Sequence, residues 1–153
     1  MRRRRSDDDG GSAIIEFVFV AVIVMLPLVY LIAAVATVQR NSLAVSDAAR
    51  DAGRAFATSD TAAQARTRAR VAVRLALTDQ GVPDDAQLRF VAPVSSCDGP
   101  AVVPRLAPGA EFAVCVSRSV TLPGIPSLLA GRGIRTVGRF VVHVDDYRVV
   151  VAR

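Results

Sequence analysis

The chain has 153 residues and a net charge of +5, and all 19 of its basic residues are arginines. Residues 39–153, which follow a long apolar stretch, leave room for one small domain. They contain 15 arginines and 10 acids, without the interleaved basic and aromatic residues that are typical of nucleic-acid binding. We therefore expect no nucleic-acid partner, and a basic surface that contacts anionic headgroups, envelope polymers or an acidic protein.

An apolar run from Phe17 to Ala36 follows a leader that contains four arginines, Arg2–Arg5. As a helix, these 20 residues span about 30 Å, the thickness of the hydrocarbon core of a bilayer. Arginines beside a membrane segment stay cytoplasmic. The sequence therefore predicts a single-pass protein of the cell membrane with a cytoplasmic N-terminus and an extracytoplasmic head. Pro27, within the run, is expected to bend the helix or loosen one turn.

Glu16 places a carboxylate at the start of this membrane segment, where a charge is costly unless it is paired or functional. One interpretation is that it lies in the first turn of the helix and favours the helix dipole. The other interpretation depends on Gly11. A basic leader ends at this glycine, and after four intervening residues Glu16-Phe17 leads into the apolar run. This pattern resembles the type IV prepilin motif. That resemblance implies cleavage between Gly11 and Ser12 by a prepilin peptidase. It also implies that the new amine of Ser12 pairs with Glu16 of a neighbouring subunit during subunit association.

Further segments in the same order extend the resemblance: GSAIIEF, LPLVYL, DAARDAGRAF, VTLPGIP and VDDYR. Together they resemble the TadE-like proteins of high-GC Gram-positive bacteria. The resemblance implies a non-enzymatic minor pilin or pseudopilin that takes part in assembling a Tad-type (type IVb) pilus or a related secretion apparatus. Its partners would be other pilin-like subunits and the inner-membrane assembly platform, and the protein could be incorporated in a surface pilus.

Two other functions remain open. The chain could be an uncleaved, membrane-anchored binding module with a basic head. It could also be a secreted protein, because Ala34-Val35-Ala36 has the A-x-A form of a signal-peptidase site. The prepilin interpretation divides the chain into a leader at 1–11, a transmembrane helix at 12–38 and a head at 39–153.

The predicted fold class is α+β and pilin-like. One long helix should run from Ala13 to Ala57, because apolar residues recur at spacings of three and four beyond the membrane. These residues are Leu43, Ala44, Val45, Ala48, Ala49, Ala52 and Phe56. A second helix is expected to be capped by Ser59 or Asp60 and to end near Thr78, before Gly81 and Pro83. It places Arg66, Arg70 and Arg74 on one face, as a solvated surface or a docking patch.

After Pro83, β-forming residues predict strands at Leu88–Val94, Glu111–Leu122 and Thr136–Val151. Phe112, Val114 and Val116 should lie on one face of the sheet, with Cys115 on the other. The loop Pro123–Gly133 should pack Leu128 and Leu129 inward. We expect a three- or four-stranded antiparallel sheet against the helices.

Cys97 and Cys115 form an even pair in an extracytoplasmic head, which favours a disulfide, with two buried free thiols as the alternative. Two cysteines and the distant His143 cannot supply a closed metal shell, so no metal or other cofactor is expected. His143 stands without a nucleophile motif, and no glycine loop suits a phosphate. We therefore predict no active site, and a structural role for His143.

Overall fold

The computed structural model describes residues 10–122 and 133–148, with side chains from residue 14 onward. The chain divides into two compact units, Met1–Ala36 and Thr37–Arg153. The elements, in order, are α1 (Gly10–Ala57), α2 (Ala62–Asp79), β1 (Gln87–Val91), β2 (Glu111–Val120) and β3 (Ile134–His143). The predicted α+β class with a second helix and an antiparallel sheet is confirmed. The sheet has three strands among the described residues.

Helix α1 is one continuous helix of 48 residues, as the periodicity predicted, and it passes through Pro27 without interruption. The bend expected at Pro27 stays a prediction. In the second unit, small side chains give α1 a narrow buried face that other elements can approach closely. This face consists of Ala44, Val45, Ala48, Ala49, Ala52 and Phe56. The assignment of Leu43 to this face was wrong: it is 62% exposed, because at about 100° per residue it points to the side of the helix opposite Ala52.

Helix α2 begins after Thr61, so the predicted caps Ser59 and Asp60 were wrong. The Thr61 hydroxyl accepts a hydrogen bond from the Gln64 amide at 3.2 Å, and the Gln64 side chain accepts one from the Asp60 amide at 3.2 Å. These contacts satisfy amides that a helix start leaves unpaired. Ser59 is buried instead, and its hydroxyl donates to the Ala55 carbonyl at 2.6 Å.

The end of α2 agrees with the prediction that Gly81 stops it. Gly81 adopts a positive φ of 62°, which a residue without a Cβ accepts readily. Its amide donates to the Thr78 carbonyl, and the Val82 amide donates to the Leu77 carbonyl, both at 2.9 Å. This is a Schellman ending, and the buried Val82 and Leu77 supply its apolar contact.

The sheet has the order β1-β2-β3, with both pairs antiparallel. As predicted, Phe112, Val114 and Val116 lie on one face, within the core formed with α1 and α2. The opposite face of β2 carries Cys115, in a small second cluster. Because successive side chains of a strand point to opposite faces, the sheet is packed on both sides.

Strand β3 lies unusually close to α1. A Cβ added at Gly138 would be 2.0 Å from the Val45 carbonyl oxygen. One added at Gly53 would be 2.7 Å from side-chain carbons of Phe140 and Val142. Glycines on both elements thus permit the contact.

All three strands end earlier than predicted. Strand β1 ends at Val91 and β2 at Val120, and β3 covers Ile134–His143. The chain turns after β3 because the Asp145 carboxylate accepts a hydrogen bond from the Tyr147 amide at 2.8 Å. The predicted positions of Leu128, Leu129 and the valines at 149–151 fall outside the described residues.

Candidate assembly segment and head

The segment that carries the prepilin-like motif lies at the start of α1. Gly11 and Ser12 are within the helix, which begins at Gly10. Glu16 and Phe17 follow in the next turn, and both side chains are exposed. No ion pair involves Glu16 within residues 10–122 and 133–148. The structure thus places a carboxylate on the surface of α1, just before the apolar run from Phe17 to Ala36.

The apolar part of α1 is exposed on all sides in the isolated chain. Large side chains from Ile14 to Val35 are between 38% and 74% exposed. Of the helices in the described part of the chain, α1 alone is long and apolar enough to cross a membrane. A helix that is hydrophobic all round needs lipid or other helices around it.

The second unit is closed by a disulfide. Cys97 and Cys115 are bonded, as predicted, with their Cα atoms 5.6 Å apart. The bond ties the loop after β1 to the middle of β2, on the face that points away from the helices. Arg89 strengthens the same loop by donating to the carbonyls of Cys97, at 3.4 Å, and Gly99, at 3.1 Å.

A buried arginine of β2 connects α1 and the loop between α2 and β1. The Arg118 side chain is only 7% exposed, and its Nε lies 2.8 Å from an Asp85 carboxylate oxygen. Its Nη2 donates to the other Asp85 oxygen at 3.2 Å, and its Nη1 donates to the Asn41 side-chain oxygen. Asn41 in turn donates to the Thr37 carbonyl at 2.7 Å. A buried cation is tolerated here because an acid and an amide surround it.

Arg148 is a second arginine with a structural role, and the sequence did not reveal that role. Its guanidinium donates to the Ala57 carbonyl at 2.7 Å and to the Ser59 carbonyl. The last carbonyls of a helix have no partner within the helix and carry a partial negative charge. Arg148 therefore caps α1 from a position 91 residues further along the chain. A basic residue next to a turn-forming Asp-Asp pair was the only signal in the sequence.

His143 lies at the end of β3 between two acids. Its Nδ1 is 3.2 Å from Glu111 and its Nε2 is 3.4 Å from Asp146. The hydrogen bond to Glu111, followed by that to Asp146, raises the pKa of His143 above its ordinary value of 6.5. Both ring nitrogens are thus engaged in contacts that join β2, β3 and the following turn. In the described residues, no group of three or more His, Cys, Asp or Glu side chains is arranged to hold a metal ion.

Together, one exposed apolar helix and a small disulfide-bonded α+β unit define a class of protein: membrane-anchored and pilin-like. The sheet, α2 and the second half of α1 form the head, and the first half of α1 fits a single-pass anchor.

Within this class, residues 11–54 match the family model described as TadE-like protein. The match begins at Gly11 and includes Glu16 and Pro27, so the resemblance inferred from GSAIIEF and LPLVYL is confirmed over this segment. It indicates a pilin-like protein associated with a Tad pilus, with other pilus components as its partners. The match ends before α2, and the resemblance of VTLPGIP and VDDYR stays a prediction. No curated protein and no solved structure matches the chain.

Proposed function

We propose that the chain is a minor pilin or pseudopilin of a Tad-type pilus or a related secretion apparatus. A prepilin peptidase removes the leader at residues 1–11, residues 12–38 remain as the membrane helix, and residues 39–153 form an extracytoplasmic head. The inner-membrane assembly platform receives the processed subunit. The observation that carries the proposal is the position of Glu16, an exposed charge at the start of an exposed apolar helix.

The physical reason for a partner at Glu16 is desolvation. A carboxylate at the edge of the hydrocarbon core is costly unless a cation compensates for it. Cleavage after Gly11 creates such a cation, the amine of Ser12. Glu16 is the fourth residue after Ser12, which is a distance of about 6 Å along a helix axis. A neighbouring subunit shifted along the axis by this distance brings its amine beside the carboxylate, and the apolar surfaces of the two helices then cover each other.

The first experiment determines the mature N-terminus by intact-mass analysis of membrane-extracted protein. A chain that begins at Ser12 is expected. Gly11→Leu should abolish cleavage because the peptidase requires a small residue at that position, whereas Gly10→Leu serves as the matched control and should still be cut. A mature chain that begins at Met1 would support an uncleaved, anchored binding module, and one that begins at Thr37 would support a secreted protein.

The second experiment tests the association. Glu16→Ala should leave cleavage, membrane insertion and head folding unchanged, and it should reduce cross-linking to other pilin-like subunits about tenfold or more. An unpaired charge in a desolvated site typically costs a few kcal/mol, which exceeds a tenfold effect. Glu16→Asp keeps the charge and should retain part of the association. If the cleaved Glu16→Ala protein associates like wild type, Glu16 acts only at the start of its own helix.

A further inference from the structure

A cleft of about 350 Å³ lies between α2 and the segment that follows β1. It combines three arginines with an apolar floor, and one of the three, Arg89, already donates to the Cys97 and Gly99 carbonyls. The lining residues that the structure describes are Arg66, Arg70, Leu88, Arg89, Phe90, Ala101, Val102, Val103 and Pro104. No acid is among them.

The two arginines at this cleft that are free to bind a partner come from α2, because Arg89 of β1 is held by carbonyls of its own loop. Arg66 and Arg70 are exposed and lie one turn apart on the same face, where like charges repel each other. Arg74, one turn further, forms an ion pair with Asp84 at 2.8 Å. Arg66 and Arg70 form no ion pair with any residue in 10–122 or 133–148. The arginine face predicted from the sequence is therefore divided into a neutralised end and a cationic end, and the cationic end borders the cleft.

The apolar side of the cleft is fixed in place. Leu88 and Phe90 are half-buried residues of β1, and Phe90 belongs to a cluster of aromatic rings with Phe56 and Phe112. The Val102 amide donates to the Phe90 carbonyl at 2.9 Å, which holds the 101–104 segment against the strand. Val103, beside it, is 73% exposed. The cleft is thus built from elements that the core and the disulfide-bonded loop already hold.

A second copy of this chain is a poor occupant because most of the acids described in its head already face a basic group, with Asp60 and Asp79 among the exceptions. The following acids in the described residues face a basic partner within the chain: Asp84 with Arg74, Asp85 with Arg118, Asp98 with Arg135, and Glu111 and Asp146 with His143. Asp47 and Asp51 lie beside Arg50 and Arg54. The head also has a net positive charge, which favours an acidic partner over a like-charged copy.

We propose that this cleft binds an acidic segment of a different protein, one that places carboxylates on Arg66 and Arg70 and an apolar side chain against Val103 and Phe90. Arginine binds carboxylates through charge-assisted hydrogen bonds, and binding would also relieve the repulsion between the two guanidinium groups. The proposal concerns the folded head and does not depend on leader cleavage or on the fate of Glu16.

The test uses the full chain in uncharged detergent micelles and a short fluorescent peptide in which glutamates alternate with leucines. Anisotropy should show binding, and Arg70→Glu should weaken it about tenfold or more. Arg68→Glu is the matched control, because Arg68 is exposed on the same helix but does not line the cleft. Val103→Ser should weaken binding, whereas Val94→Ser, at a residue 94% exposed and away from the cleft, should not. Circular dichroism checks that each variant is folded.

Several results would overturn the proposal. Absence of measurable peptide binding to the wild-type head would do so, and equal losses for Arg68→Glu and Arg70→Glu would show only a general effect of charge. Polyphosphate and vesicles of anionic lipid are the competing probes. If either binds more tightly than the peptide, with the same dependence on Arg70 and none on Val103, the cleft recognises an anionic polymer or a lipid surface instead of a protein.

Discussion

The close contact between α1 and β3 gives a sharp prediction for Gly138→Ala. The new Cβ would lie 2.0 Å from the Val45 carbonyl oxygen and 2.3 Å from the Val45 carbonyl carbon. Both are backbone atoms of a helix, so no side chain can rotate away, and the helix must move by more than about 1 Å relative to the strand. Forced overpacking of this kind typically costs about 1–3 kcal/mol, and a rigid backbone neighbour places the expected loss at about 3 kcal/mol or more.

Gly53→Ala is the informative comparison. Its Cβ would meet Phe140 and Val142 at 2.7 Å, but these atoms belong to side chains that can shift. Alanine also favours a helix over glycine by about 1 kcal/mol, which offsets part of the clash. We therefore expect a loss of about 1 kcal/mol for Gly53→Ala, clearly smaller than that for Gly138→Ala.

The assays are denaturant and thermal unfolding of the full chain in micelles, both monitored by circular dichroism with the disulfide intact. For a head of this size, a loss of about 3 kcal/mol should lower the Tm by roughly 10–20 °C. The reasoning would be refuted if Gly138→Ala unfolded within about 1 kcal/mol of wild type, or if Gly53→Ala were the more destabilised variant.

Three further predictions concern the disulfide of the head, the cap that Arg148 places on α1, and the contacts of His143. Replacing Cys97 and Cys115 with serine should lower the free energy of unfolding by about 3 kcal/mol, measured by denaturant titration, because the open chain gains loop entropy; an unchanged midpoint would contradict this. Arg148→Ala should cost about 1–2 kcal/mol and speed hydrogen exchange at the end of α1, with Arg148→Lys intermediate. The raised pKa of His143 means that its contribution to stability is fully present below pH 6.5 and is lost as the pH rises through the higher folded-state pKa. His143→Gln should therefore flatten the pH dependence of the unfolding midpoint in that window, and an unchanged slope would argue against the contacts with the two acids.

The sequence predicted the helices well because their signals are local. A long apolar run and alanines at spacings of three and four require no knowledge of the partner surface, and Gly81 marks the end of α2 by its own backbone freedom. The cap of α2 was misplaced because Ser59, Asp60 and Thr61 are all good cap residues. Thr61 becomes the cap because Ser59 is packed into the interior, which only the tertiary structure shows.

The contacts that shape the head were harder to predict from the sequence because they join residues far apart in the chain. Nothing around Gly138 shows that a helix backbone lies against it, and nothing near Arg148 points to Ala57. The division of the arginine face of α2 also depends on tertiary structure, since Asp84 reaches back to Arg74, whereas Arg66 and Arg70 have no acid partner among residues 10–122 and 133–148. Leu43 was a different kind of error, because no other member of the stripe lies three or four residues from it, and the helix therefore turns it toward the opposite side.

The cap that Arg148 places on α1 has a consequence for biosynthesis. A ribosome completes α1 at Ala57, whereas β3 begins only at Ile134 and Arg148 follows it. Until they emerge, the alanine face of α1 has no β3 against it, and the Ala57 carbonyl lacks the donor that Arg148 supplies. The helix is thus made long before β3 and Arg148, whose contacts hold it in place. A chain truncated before residue 134 would leave that surface open to other newly made proteins.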